Sequence, residues 1–294
     1  HTRLVSDWSS DVCSPDLITP TILTVGNTGN CSHASIQAAI NAAPAAGTTI
    51  IRISNNVAHN NQALNIANKN IELRGGYPGC GLEPAGPDER TTIRGNGGDS
   101  VVFVNAAGTE RTVILRNVLI RGGGSSDVLT ERGGGLRIDG LSTVEVRNSR
   151  LSDNESFFGG GIAILGSSAR VLLDDGTIVG EAGGVAGNRS VAQGMVGGIA
   201  GGIYCASGAE VRIRDARLRI NSASSDGGGI FASNCTVLIT PTPAFVAGTS
   251  GGNGFVTLFE NSAGRHGGGL YATQGSVVLW APPGAALPGG ITLA

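Results

Sequence analysis

Aromatic side chains make up 4% of this 294-residue chain and charged ones 14%, and no block of Lys or Arg runs for more than two residues. A nucleic-acid surface needs basic patches and stacking platforms, so that class is excluded. The net charge of −2 does not point to a polyanionic partner either. There is no CxxC or Cys/His cluster with zinc spacing, and no GxSxG, P-loop or GxGxxG element, so neither a structural metal nor a nucleotide cofactor is expected. The longest uncharged stretch, Ser190 to Ala209, carries overlapping GxxxG spacings. Its glycines, Gln193 and serines dilute it too far for a membrane span, and it reads as a glycine-rich loop plus a strand.

What is abundant is glycine, 49 residues or about one in six against a typical ~7%. Such a chain is poor in long helices and rich in positions that permit unusual backbone angles. Apolar residues still reach 40%, mostly Val, Ile, Leu and Ala, enough to bury a core.

Residues 6 to 17, SDWSSDVCSPDL, resemble a translated sequencing adapter, and residues 1 to 20 are set aside as an artefact and lead-in. Without Cys13, four cysteines remain: Cys31, Cys80, Cys205 and Cys235. An even number fits disulfides formed in an oxidising compartment, with four buried thiols as the alternative.

After TILTV (21 to 25), a strand, SIQAAINAAPAAG (35 to 47) reads as a short amphipathic helix, with Ser35 as cap and Pro44 and Gly47 as stops. Period-two alternation then takes over in IRI (51 to 53), IEL (71 to 73), VEV (144 to 146), VRIR (211 to 214) and LRI (218 to 220). Each segment puts aliphatics on a buried face and Arg or Glu in solvent.

One phrase recurs: NESFFGGGIAI from Asn154, NSASSDGGGIFA from Asn221 and NSAGRHGGGLYA from Asn261, with partial copies ending at Ile138 and Ala206. The aliphatics after the glycines are Leu136, Ile162, Ile203, Ile230 and Leu270, at intervals of 26, 41, 27 and 40. A helix-free unit of that length predicts a β-solenoid of one rung, or one rung with a loop, per interval. Stacked rungs then align Asn154, Asn221 and Asn261 at one corner as an amide ladder, and the glycines round that corner into the strand. The helix covers the open end of the coil. The fold class is all-β, a single parallel β-helix over residues 21 to 294, expected to be truncated at both ends.

CSHASIQAAINAAPAAGTTIIRI, NKNIELRGGYPGC, TTIRGNGG and LRNVLIRGGG resemble the amino-terminal half of bacterial right-handed parallel β-helix repeat proteins. LFENSAGRHGGGLYA resembles the repeats of polymorphic outer-membrane proteins, which are autotransporter-type passengers, with Gly269 where that motif carries Ala. The resemblance implies a secreted or outer-membrane surface scaffold that meets glycan or protein ligands as an adhesin, with a membrane anchor or barrel downstream. It also implies a Cys31–Cys80 pair; Cys205 and Cys235 are placed to join neighbouring rungs.

Parallel β-helices also carry pectin-degrading enzymes, whose chemistry needs converging carboxylates. Asp174 and Asp175 in LLDDGT, His266 and Arg212 are the candidates. The two acids stand at an ordinary turn, and neighbours on a strand face opposite ways. His266 sits where the preceding copy has Asp226 and reads as an exposed loop residue, while His33 and His59 are isolated. GNGGDS at 95 to 100 resembles a calcium turn but occurs once, and tandem copies are needed to share ions. No catalytic, cofactor-binding or metal residue is assigned, and the reading is a non-enzymatic, adhesin-like scaffold, with a polysaccharide lyase or glycoside hydrolase as the alternative. Three or more of Asp127, Asp139, Asp153, Asp174, Asp215 and Asp226 gathered with Arg in one groove would favour the enzyme.

Overall fold

A computed structural model describes residues 19 to 293 except 28, 85, 87, 125–131, 182, 193–195, 240–255, 275 and 280–290. Residues 1–18, including the adapter-like stretch and Cys13, and Asp127 lie outside the described residues.

Every strand pairing is parallel and joins one rung to the next. The first sheet begins at Thr21–Val25 and runs through Thr48–Ser54, Asn70–Tyr77, Val102–Arg116 and Leu136–Arg147. From there each rung contributes two short strands to it, such as Ile203–Ala206 followed by Glu210–Ile213. A second sheet stacks eight strands from His59–Gln62 to Ile291–Leu293, and a third stacks Glu155–Ser156, Arg189–Ser190, Ser222–Ala223 and Ser262–Ala263. Parallel strands cannot be joined by hairpins, so the chain must go round to meet itself; this is the parallel β-helix, and crossovers of this kind are right-handed almost without exception.

The predicted repeat is met residue for residue: Leu136, Ile162, Ile203, Ile230 and Leu270 are register partners in consecutive rungs. Their side chains, with Ile51, Ile71, Val144, Val211 and Leu218, fill an aliphatic core.

The amide ladder forms as well, with one member the repeat did not reveal. Asn154 Nδ2 donates to Asn188 Oδ1 at 2.9 Å, Asn188 to Asn221 at 3.1 Å and Asn221 to Asn261 at 2.9 Å. Each Nδ2 also donates to a carbonyl of the preceding rung, those of Ile120, Leu151, Val179 and Leu218. All four asparagines are buried. Asn188 escapes the pattern because Val191 to Gly198 are inserted between it and the glycines of its rung. The glycines answer to two constraints. Gly227 has φ +71°, at the corner itself, whereas a Cβ on Gly229 would meet the Gly269 carbonyl and come within 3.2 Å of the Asn261 amide. The corner is tight because the glycine carbonyl of the next rung stands against it, with the side-chain amide behind.

The helix spans Ile36–Ala42, shorter than the predicted 35 to 47. Ser35 caps it, accepting from Ala38 N, but Ala43 has already turned to ψ 133°, the extended geometry that Pro44 requires of its predecessor. Ile36, Ala39 and Ile40 form its buried face. Gln37 reaches the edge strand Leu64–Ala67, donating to Asn65 O at 3.1 Å and accepting from Asn65 N at 2.8 Å. One side chain thereby replaces a missing strand partner.

Two polarity expectations fail. Glu72 is buried because it serves Arg74 of its own strand at 2.8 Å and Arg116 of the next rung at 3.3 Å. Ile220 is exposed because it takes φ +53° at the corner before Asn221, which ends the alternation one residue early.

Both cysteine pairs are disulfides, Cys31–Cys80 and Cys205–Cys235, with Cα separations of 5.2 and 5.8 Å. The stretch ending at Ala209 contains the strand Ile203–Ala206, and among the described residues no helix is long and apolar enough to cross a membrane.

Asn221→Ala would take from buried groups the acceptor shared by Asn188 Nδ2 and N and the side-chain donor of the Val179 carbonyl. We expect a loss of about 3 kcal/mol in denaturant unfolding, and a change under about 0.5 kcal/mol would mean that the ladder does not hold the rungs.

Candidate functional site

The corner between the first and second sheets is built from residues that tolerate left-handed backbone. Asn117, Asn148 and Asp175 have φ of 55°, 43° and 53° in successive rungs, and Asn148 Nδ2 donates to Asn117 Oδ1 at 2.9 Å. Leading into this corner along the first sheet is a column of arginines, Arg52, Arg74, Arg116 and Arg147, each the register partner of the next. Arg147 pairs in turn with Asp174, where the column changes sign.

Asp174 is buried and ion-paired with Arg214 of the following rung. Thr177 Oγ1 donates to its carbonyl at 2.6 Å. Asp215, also buried, follows Arg214 into the corner one rung on from Asp175. Burial pushes the Asp215 carboxyl above the usual aspartate value, the charge of Asp174 pushes it further, and the Gly176 amide and Arg217 pull the other way. Two carboxyl groups in unequal surroundings therefore share one corner. One is matched by a guanidinium; the other is biased toward its protonated form.

Sequence reasoning set Asp174 and Asp175 aside as turn residues and did not connect Asp215 to them. The connection lay in the spacing: Leu173 and Ile213 are register partners, so an interval of 40 residues is one rung. Of the six acids weighed, Asp174 and Asp215 alone come together among the described residues, short of the three that were to favour the enzyme. Asp139 pairs with Arg137 at 2.7 Å, and Asp153 with Arg121 at 2.9 Å. Arg212 pairs with Glu210 on its own strand.

A second cluster joins Asp226 and His266. These occupy the same place in successive copies of the repeat, and stacking brings His266 Nδ1 to 2.7 Å from Asp226 Oδ1. Asp226 is buried and also accepts from Arg265 at 2.7 Å and Ser225 at 2.9 Å. His266 itself is 59% exposed, as its loop position suggested. Arg265 first, then His266 and Ser225, hold the Asp226 carboxyl at about 2, against burial.

The other histidines are accounted for locally. His59 is buried beside a cavity of about 270 Å³ next to the helix, its Nε2 2.8 Å from Ser54 O, and burial lowers its pKa. His33 Nδ1 lies 2.9 Å from Ser32 Oγ. In GNGGDS, Asn96 Oδ1 accepts from the amides of Gly98 and Asp99, an Asx turn, and no group of three or more His, Cys, Asp or Glu among the described residues is placed to hold a metal.

The chain matches no family model and no curated protein. Among solved structures it is similar to the pectin methylesterase from Aspergillus niger in deglycosylated form, at 11% identity and a TM-score of 0.32, over 93% of this chain and 90% of that one. A likeness of this size carries no argument about activity, and the fold rests on the parallel register described above. The similar structure is nonetheless an enzyme of pectin, and it runs against the expectation of a non-enzymatic, adhesin-like scaffold. That expectation is corrected here, and the enzyme alternative stands or falls on the corner's geometry.

Because the Asp226 carboxyl sits at about 2 instead of 3.8, the unfolded chain takes up its proton first as pH falls. Its contribution to stability is complete above about pH 4 and disappears toward pH 2. Wild-type denaturation midpoints should drop across that window, and those of Asp226→Asn, lower at neutral pH, should drop less. Parallel curves for the two proteins would show that Asp226 is not so held.

Proposed function

We propose that the chain is a glycoside hydrolase acting on a linear acidic polysaccharide outside the cytoplasm. The observation that carries this reading is the Asp174–Asp215 pair, in which Arg214 holds one carboxylate while burial and the charge of Asp174 bias the other toward its protonated form. Neighbouring acids in such unequal surroundings can supply an acid and a base at one pH.

In this reading Asp215, kept protonated by burial and by Asp174, gives its proton to the glycosidic oxygen as the bond to the anomeric carbon breaks. Asp174 takes a proton from the water whose oxygen joins that carbon. One water is consumed and both carboxyl groups recover their starting states as protons re-equilibrate with solvent. Arg52, Arg74, Arg116 and Arg147 advance one per rung, about 4.8 Å apart, and lead into the pair. These four guanidinium groups share three glutamates, Glu83, Glu72 and Glu145, so the row keeps an excess of positive charge that suits carboxylates in a row, which is why the substrate is placed among the polyuronates. The two disulfides are consistent with an oxidising compartment.

Purified protein should release reducing ends from polygalacturonate or alginate, and Asp215→Asn should lower the rate by about 10²–10⁴-fold while leaving the circular dichroism spectrum intact. The sign of the pH dependence is fixed: only protonated Asp215 can act, so the rate falls as pH rises through its elevated pKa. Appearance of unsaturated uronate ends instead of saturated ones would replace hydrolysis by elimination. Full activity in Asp215→Asn would remove the pair from the chemistry.

A further inference from the structure

Few as they are, the aromatic residues are concentrated. Of the eight that are described, all but Tyr77 and Phe259 lie on or beside one outward-facing row of the first sheet. The row is set by register: Phe103, Arg137, Ala163, Tyr204, Phe231 and Tyr271 are partners in six consecutive rungs. Where the row has only Ala163, Phe158 swings in from the preceding corner and packs 5.0 Å from Tyr204, centroid to centroid. Tyr204 and Phe231 follow at 5.7 Å with planes 10° apart, and Phe231 and Tyr271 at 5.6 Å. The Arg137 guanidinium lies over Phe103 at 4.7 Å.

The core does not need these rings, since the inward positions of the same strands are filled by aliphatics. Except for Ala163 and Phe231, every member of the row remains partly exposed. The row is also narrow. The next outward position in each rung is Asn105, Asp139, Leu165, Ala206 or Ser233, polar or small apart from the buried Leu165, so the exposed apolar surface is one ring wide.

From this geometry we infer a glycan-binding track, separate from the Asp174–Asp215 corner, in which a linear pyranose chain lies along the solenoid axis with about one sugar per rung. An extended chain of linked pyranoses advances by nearly the distance between these rings, and its CH faces and hydroxyls match half-exposed rings bearing the Tyr204 and Tyr271 hydroxyls. A strip one ring wide does not supply the ~800 Å² per partner of a stable protein interface. Arg137 and Arg265 are both matched by carboxylates, and the Arg132 guanidinium lies over the Phe158 ring at 5.6 Å, so the rings supply most of the contact surface here. The inference does not rest on the hydrolase reading and would survive its failure.

The test is affinity electrophoresis of Asp215→Asn protein, which removes hydrolysis, through gels containing hydroxyethylcellulose or polygalacturonate. Both polymers should retard it, and retardation by the neutral one should persist in salt on the order of 0.5 M, where charge contacts are screened. Tyr204→Ala with Tyr271→Ala, neither tyrosine fully buried, should weaken binding at least about tenfold. Phe103→Ala, several rungs away, should weaken it independently, which guards against a local unfolding effect. Unchanged retardation in the double variant, no retardation by either polymer, or concentration-dependent dimerisation that the double variant abolishes would each overturn the track.

Discussion

The rungs from Asn154 onward depend on the side-chain amide ladder at one corner of the coil. A parallel β-helix has to stop each strand, turn the chain and restart it at the same height as the rung before, and the turning backbone leaves polar groups that no strand can satisfy. Asn154, Asn188, Asn221 and Asn261 satisfy them twice over, bonding to one another and to carbonyls of the rung behind. Their amides, behind the glycine carbonyl of the next rung, crowd the volume that a Cβ on the facing glycine would need, so asparagine and glycine are a single device. Once the corner is fixed, register follows, and register puts the inward aliphatics into one core.

The same register explains why function-bearing groups gather in columns. A residue meets its equivalents one rung away, not its neighbours in sequence. Arginines stack into a column that runs into Asp174, aromatic rings form a row along the first sheet, and Asp226 finds His266. The corner acids and the aromatic row both come from this rule, at different places on one scaffold.

How much of this could be read beforehand is decided by the same geometry. The intervals between Leu136, Ile162, Ile203, Ile230 and Leu270 revealed the rungs because loops change length without disturbing what pairs. Three asparagines of the ladder were legible since the glycine phrase follows them closely; Asn188 was hidden by its inserted loop. The burial of Glu72 was not legible, because alternation describes one strand while its partners Arg74 and Arg116 span two. The Asp174–Asp215 pair was missed for a related reason. Carboxylates were sought as sequence neighbours, although the fold already predicted by the repeat makes residues a rung apart the true neighbours.

The insertion after Asn188 has a wider meaning. Val191 to Gly198 lengthen one rung, yet Gly201 and Gly202 return to their places, and Ile162 and Ile203 remain partners. Closing a longer loop costs little extra entropy, roughly 0.6 kcal/mol per doubling of its length. A chain of this kind can therefore acquire, lose or exchange segments at its corners while the coil is inherited unchanged. Specificity can diversify at such points faster than the strands themselves diverge.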